Sequence, residues 1–307
     1  MAARKSASGT KGVVGVVGLG IMGGAFAQNL LASGWRVIGY DLAPDRRRAL
    51  AKLGAEIAAD AVDVARRAKT VIVSLPKPEA LAATAAAIAK AGLPRRVLVE
   101  MSTFTIEDKA KAQAVLHKAG HILLDCPVSG TGAQARTKDL VVYASGDAAE
   151  LKKLNRLFAG FTRAVHGVGA FGNGSRMKYV ANLLVAIHNV ASAEAMVLGM
   201  KAGLPPQLVF ELVKSGVGNS RIFELRAPMM VKNNYKNVTM KISVWQKDMD
   251  VIGGYARKIK VPTPMFDASS AIYRKALQTG LGAEDTAAVC AVMEKMAGVK
   301  RKAPKRR

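Results

Sequence analysis

Lys178 and Asn182 stand four residues apart in the stretch GNGSRMKYVAN at residues 172–182. On a helix that spacing puts both side chains on one face. A lysine beside a carboxamide can hold a substrate oxygen, the amine moving a proton while the amide fixes the geometry. Gly172 and Gly174 just upstream carry no Cβ and let the backbone approach a ligand closely. A Lys and an Asn so spaced also make an ordinary solvated helix face. The pair therefore takes its meaning from the rest of the chain.

A second constellation is Gly18-Leu19-Gly20-Ile21-Met22-Gly23. A short apolar run, 13–17, precedes it, a helical stretch ending at Gly34 follows, and a second strand, 36–40, ends in Asp41. This is the strand, turn, helix and acid arrangement that a dinucleotide site requires. The first Gly makes the tight turn and the second lets the backbone reach a diphosphate at the helix N-terminus. The third lets helix and strand pack closely. A carboxylate at Asp41 accepts hydrogen bonds from ribose hydroxyls and repels a 2′-phosphate, and Leu42 follows it rather than an arginine. NAD is therefore favoured over NADP, with Arg46, Arg47 and Arg48 the groups that would soften the preference or simply form a solvated face. Ser129-Gly130 forms a third candidate, a turn whose hydroxyl and N–H groups suit a carboxylate. Lys247-Asp248 reads first as a surface ion pair, and Asn219-Ser220 as a helix cap.

These side chains need a frame. Strands at 70–74, 97–100 and 121–125 run into Leu75-Pro76, Met101-Ser102-Thr103 and CPVSGTGA, so each ends in small or polar residues. In an open parallel sheet that edge is where ligands bind. Residues 138–145 and 163–166 add two strands around a helix at 148–158. From Gly172 the pattern becomes helical throughout, with helices expected at 182–201, 206–214, 221–230, 241–258, 263–278 and 283–296. The fold class is thus α/β: an N-terminal Rossmann-type doubly wound sheet, then an all-α C-terminal domain joined through a long helix. The boundaries read as 12–170 for the dinucleotide-binding domain and 171–298 for the helical substrate and oligomerisation domain. Residues 1–11 and 299–307 read as basic disordered ends.

Composition narrows the class. Half of the 307 residues are hydrophobic, enough for a sizeable core. Two cysteines and four histidines show no disulfide framework or metal-ligand spacing, so no metal is expected and a reducing cytoplasm suits the chain. No secretory signal is read at the start. The apolar stretch 182–200 is interrupted by His188, Asn189 and Glu194, which points to a buried helix and no membrane partner. The net charge of +24 is concentrated partly in the ends, including KRKAPKRR at 300–307. With no basic–aromatic interleaving elsewhere, nucleic acid is not expected as a partner beyond weak contact through that tail.

Taken in order, GLGIMGGAFAQNL, DCPVSGTGA, GNGSRMKYVAN and the late KDM resemble the four signatures of the β-hydroxyacid dehydrogenase family, over residues 12–298. That family includes 3-hydroxyisobutyrate, tartronate semialdehyde and threonate dehydrogenases and is related to 6-phosphogluconate dehydrogenase. GNSRIFELR looks most like the threonate branch. The resemblance implies an NAD(P)-dependent oxidoreductase acting on a short 3-hydroxy acid and its semialdehyde or keto acid. It makes Lys178 the general acid/base and Asn182 the amide that orients the hydroxyl. It places Ser129, Gly130 and Thr131 at the substrate carboxylate, and Lys247 by both substrate and nicotinamide. With Asp248, Lys247 belongs to a motif by which the helical domain closes. Gly18, Gly20, Ile21, Met22, Gly23, Asp41, Leu75, Pro76 and Thr103 fall at dinucleotide-contacting positions. Thr131 and Ala181 depart from the usual Gly and Asn, which bears on substrate identity. A homodimer or homotetramer is implied. Burial near other positive charge is expected to bring the Lys178 amine into a useful range. The competing readings are an imine reductase-like NADPH enzyme and a non-catalytic dinucleotide-fold module anchored by its basic tails.

Overall fold

Short β-branched runs build the frame. β1 (Val13–Val17), β2 (Arg36–Tyr40), β3 (Glu56–Ile57), β4 (Thr70–Val73), β5 (Val97–Glu100) and β6 (Ile122–Asp125) pair in the order β3-β2-β1-β4-β5-β6. Every pairing is parallel, with Val14 opposite Val37 and Val16 opposite Ile72. Five helices alternate with them: α1 (Ile21–Ala32), α2 (Pro44–Ala51), α3 (Ala61–Arg67), α4 (Pro78–Lys90) and α5 (Ile106–Lys118). The computed structural model describes residues 11–301. These form two compact units, the first ending at Lys178 and the second beginning at Tyr179.

Both faces of the sheet are covered, which is why its strands read as continuous apolar runs rather than alternating ones. Val14, Val16, Val37, Ile72, Val99 and Leu124 pack with Phe26, Leu30, Phe158 and Phe161. The alternate residues Val17, Ile38, Val71, Val73, Leu98 and Leu123 pack in a separate cluster with Val64, Leu81, Ile88 and Leu116. Helix starts are set locally. Asp60 accepts from Asp63 N at 2.7 Å to cap α3, Thr105 accepts from Asp108 N at 3.1 Å to cap α5, and Pro44 and Pro78 open α2 and α4.

The first unit continues through β7 (Val128–Ser129), α6 (Gly132–Arg136), β8 (Val141–Ala144), α7 (Ala148–Lys153), α8 (Asn155–Phe158) and β9 (Ala164–Gly167). β7, β8 and β9 form a second sheet, antiparallel then parallel, and an Asp125–Ser145 bridge connects it with β6. The strand expected from 138 begins only at Val141, because Lys138 takes a left-handed φ of 61°. The helix expected over 148–158 divides at Leu154, whose N–H bonds the i−3 carbonyl of Leu151.

α9 (Asn173–Lys201) starts nine residues before the expected 182 and passes without a break from the first unit into the second. It is the one helix among the described residues long and apolar enough, by length and composition, to cross a membrane, and 44% of its most apolar window is buried in protein. Asn189 within it is 1% exposed and donates to Tyr273 Oη at 2.7 Å and Thr286 O at 2.9 Å. The second unit adds α10 (Pro206–Ser215), α11 (Arg221–Lys232), α12 (Ile242–Lys258), α13 (Pro264–Gln278) and α14 (Val289–Ala297). The helix expected from 283 is two 3₁₀ turns followed by α14. Asp285 is the reason: it is fully buried, holds Arg226 at 2.8 Å, and accepts from Thr239 N and Ala287 N.

Of the ends read as disordered, residues 1–10 and 302–307 lie outside the described residues, and with them most of the basic tail. Lys11 N donates to Gly34 O at 3.0 Å, and Arg301 is paired with Glu294 and donates to Val231 O at 3.0 Å.

Candidate active site

The sheet order reverses between β1 and β4, and a crevice at the carboxyl ends of these strands is where such a sheet binds its ligand. The glycine turn sits there. Gly18 has φ +89°, and a Cβ on it would lie 2.1 Å from Ser74 O. A Cβ on Gly23 would lie 1.9 Å from Gly18 O, so only glycine lets α1 rest on the turn. Gly20 differs. Its φ is −66°, and an added Cβ would meet nothing nearer than an Arg46 guanidinium nitrogen at 3.8 Å. No side chain caps α1 there, and its first turn holds no acid. Open space over bare backbone at a helix N-terminus fits a diphosphate.

Asp41 follows β2 and is only 7% exposed. Its Oδ2 accepts from Leu19 N at 2.7 Å and from Arg46 at 3.2 Å, and its Oδ1 accepts from Ala43 N at 2.8 Å. Burial works against ionisation, but the two backbone donors and Arg46 outweigh it and hold the carboxyl below the usual aspartate range. Leu75 and Pro76 follow β4, and Leu75 N donates to Ser102 Oγ at 2.9 Å. Thr103 lies one residue beyond that serine and is half-buried. Met22 packs against the core, whereas Ile21 is 68% exposed and lies so close to Gly132 that a Cβ there would come within 2.4 Å.

Ser129 ends β7 opposite Val141, and Gly130 turns the chain at φ +136°. A side chain at Gly130 would also run into Leu140, at 2.4 Å. Thr131 opens α6. Its N–H donates to Gln134 Oε1 at 3.0 Å, and its hydroxyl lies 3.4 Å from the same oxygen. The Thr131 amide thus serves the capping box of α6.

The first turn of α9 is held by charge from the sheet. Ser175 N and Oγ each donate to the Asp125 carboxylate at 2.8 Å, and Gly174 N donates to Ser145 Oγ at 3.0 Å. Behind Asp125 is Lys109, whose Nζ lies 2.8 Å from Asp125 Oδ1, 2.5 Å from Glu100 Oε2 and 2.7 Å from Ser102 O. All three charged side chains are fully buried. Desolvation disfavours the Lys109 ammonium, but the two carboxylates reverse this and raise its pKa, while burial raises that of Glu100. Lys178, one turn beyond Ser175, is 8% exposed.

In the second unit Asn182 is 3% exposed, and its Nδ2 donates to Asp248 Oδ2 at 3.1 Å. Asp248 lies on α12 and also holds Lys247 Nζ at 3.0 Å. An ionised Asp248 accepts only, so it fixes which way the Asn182 amide faces. Lys178 and Asn182 therefore do lie on one unbroken helix. Asp248, read from the sequence as an ion-pair residue, does pair with Lys247 and also accepts from Asn182. Lys109, Glu100, Asp125 and Ser175 drew no sequence expectation, because nothing local distinguishes them from helix and strand-end polar residues.

A parallel doubly wound unit with this glycine turn, followed by a helical unit, is the architecture of a two-part NAD(P)-binding oxidoreductase. Residues 13–169 match the family described as the NAD binding domain of 6-phosphogluconate dehydrogenase. Residues 172–293 match that described as the NAD-binding of NADP-dependent 3-hydroxyisobutyrate dehydrogenase. An L-threonate dehydrogenase of Cupriavidus necator is 31% identical over 280 residues, covering 90% of this chain and 94% of its own. The crystal structure of a 3-hydroxyisobutyrate dehydrogenase from Salmonella typhimurium is 28% identical with a TM-score of 0.83, covering 91% of this chain and 99% of that one. An imine reductase from Pseudomonas sp., 20% identical with a TM-score of 0.58 and covering 92% and 99%, shares the fold alone. The chain belongs to the β-hydroxyacid dehydrogenase family.

Proposed function

We propose that the protein is an NAD(P)-dependent dehydrogenase that interconverts a short 3-hydroxy acid, such as a 3-hydroxyisobutyrate-, glycerate- or threonate-like compound, with its semialdehyde or keto acid. The observation that carries this reading is the four-residue spacing of Lys178 and Asn182 along α9, together with the bond from the Asn182 amide to Asp248. Residues 12–170 serve as the dinucleotide-binding domain and 171–298 as the substrate and oligomerisation domain. Gly18, Gly20, Ile21, Met22, Gly23, Asp41, Leu75, Pro76 and Thr103 hold the dinucleotide. The nicotinamide, when bound, supplies the hydride acceptor. Ser129 and Gly130 hold the substrate carboxylate, with Thr131 shaping the turn through its bond to Gln134. Lys178 takes the proton from the hydroxyl oxygen as the C–H hydride departs, and returns it in the reverse direction. Asn182 keeps one Nδ2 hydrogen and its Oδ1 for the hydroxyl while the other hydrogen goes to Asp248. Lys247 balances the charge of Asp248 and serves both substrate and nicotinamide.

NAD is the preferred cofactor. Asp41 is held ionised, and the adjacent Arg46 guanidinium is engaged with it rather than set to clamp a 2′-phosphate. The apolar side chains Val180, Leu184 and Leu198 of α9 are 55%, 47% and 72% exposed, a surface suited to a second copy in a homodimer or homotetramer. Two free, buried cysteines suit a cytoplasmic setting.

The test is cofactor reduction by the purified protein with NAD and NADP in parallel. The panel is 3-hydroxyisobutyrate, glycerate, threonate, 3-hydroxypropionate and serine, with an imine plus NADPH as the contrasting arm. Lys178→Ala is expected to abolish turnover and leave NAD affinity largely intact. Equal loss of affinity and turnover would remove Lys178 from the chemistry, and turnover of the imine alone would overturn the substrate class.

A further inference from the structure

Lys109 is an anomaly in energetic terms. It is a fully buried lysine in the first turn of α5, where the helix dipole disfavours a cation. It faces two carboxyl groups, Glu100 and Asp125, that are as fully buried as it is. Desolvating such a group recovers little stability, and apolar replacements of buried ion pairs are often neutral. What the cluster does provide is geometry.

Its bonds lead in two directions. Through Asp125 they reach α9, whose cap position, Gly172, has no side chain and takes φ +91°. Asp125 supplies the cap instead. Its carboxylate accepts from Lys109 Nζ, Ser175 Oγ and Ser175 N, each at 2.8 Å, and lies 3.2 Å from Ser145 Oγ. Four partners use the roughly four lone-pair directions a carboxylate has. The backbone closes the fit, since a Cβ on Gly174 would lie 2.4 Å from Tyr143 O and 2.6 Å from Asp125 O. The first turn of α9 therefore has one rotation and one height on the sheet. Lys178 stands three residues after Ser175 on that helix. In the other direction Lys109 holds Ser102 O at 2.7 Å. Ser102 N donates to Glu100 at 2.9 Å, and Ser102 Oγ accepts from Leu75 N. Leu75 and Thr103 are dinucleotide positions in the reading above.

We propose that Lys109 is a positioning residue for the reaction: by fixing Asp125 against Ser175 and holding Ser102 in place, it aligns the helix that carries Lys178 with the loops that carry the dinucleotide. This rests on Lys178 being the general acid/base.

The experiment uses the full chain in three variants, Lys109→Met, Ser175→Ala and Lys178→Ala, with the hydroxy acid and cofactor that the assay above identifies. Ser175→Ala removes one hydroxyl from a helix that retains its backbone bonds, so it folds even where Lys109→Met does not. Displacing a reacting group by an ångström or less is expected to cut kcat about 10- to 100-fold in both positioning variants, with KM and NAD affinity nearly unchanged. Hydrogen exchange without ligand is the second readout. The amides of residues 174–178 are expected to exchange about fivefold faster or more, with protection of β1 and α1 unchanged. Wild-type kcat in folded Ser175→Ala, or faster exchange spread evenly over the unit, would overturn the proposal. Loss of activity in Lys178→Ala alone would leave the catalytic reading standing without it, and an active Lys178→Ala would remove the reading itself.

Discussion

The two glycines that flank the start of α1 should fail in different ways when a methyl group is added. At Gly23 the methyl would stand 1.9 Å from Gly18 O, against an ordinary contact of 3.4 Å, so the turn must open by 3.4 − 1.9 = 1.5 Å. Overpacking of this kind costs about 1–3 kcal/mol. In a unit of this size that lowers Tm by roughly 2–12 °C before any ligand is added. At Gly20 the backbone already lies at φ −66°, which alanine adopts, and the methyl meets open space up to Arg46. Gly20→Ala should change the free protein by about 1 kcal/mol or less. With the diphosphate placed as proposed, the same methyl would take its space and break a charge-assisted hydrogen bond worth about 1.5–3 kcal/mol, which weakens binding about 10- to 100-fold. The assay is thermal unfolding with and without NAD, together with NADH fluorescence titration. At a cofactor concentration of about 100 times the wild-type Kd, wild type gains about 2.7 kcal/mol and a tenfold weaker site only about 1.4. A Gly20→Ala protein that binds NAD as tightly as wild type would refute the placement of the diphosphate over that backbone.

Asp248→Ala should free the Asn182 amide to rotate, lowering kcat about 10- to 100-fold while NAD affinity holds. A wild-type kcat would show that Asp248 does not orient Asn182. Asp41 gives a pH prediction. Its folded pKa lies below that of a free aspartate, about 3.9, so its bonds to Leu19 N, Ala43 N and Arg46 stabilise fully above that pH. They are lost as pH falls through the folded value. Acid unfolding of wild type and Asp41→Asn should therefore differ at pH 5 and converge toward pH 2, and parallel curves would show that the carboxylate contributes nothing.

The parts of the fold that were legible in the sequence are those governed by local rules. The run Val13–Val17 followed by glycines at 18, 20 and 23 located the strand, the turn and the helix, because sterics at Gly18 and Gly23 admit little else. The buried strands β4, β5 and β6 were equally plain as apolar runs leading into small or polar residues. Two-residue strands such as β3 and β7 have no period to read. The stretch 172–182 read as a glycine loop running into a helix, but the point where α9 begins was not legible, because its cap is Asp125, 50 residues from Ser175. Likewise the break before α14 depends on Arg226 gripping Asp285, 59 residues away. At the proposed site, the spacing of Lys178 and Asn182 offered only a candidate pair, whose roles came from the family resemblance, and Asp248 could not be joined to Asn182 before α12 was placed, 66 residues on.

Each unit also contains a single thiol, and neither is reactive in the folded chain. Cys126 lies beside the end of β6 and Cys290 in α14, both 0% exposed. Burial pushes Cys126 far above an ordinary thiol and Cys290 up to about 12, so neither forms a thiolate at neutral pH. An alkylating reagent can reach them only when the surrounding structure opens. The chain thus carries two internal clocks. The rate at which Cys126 is trapped times the opening of the dinucleotide-fold unit, and the rate at Cys290 times that of the helical unit, without any residue being changed.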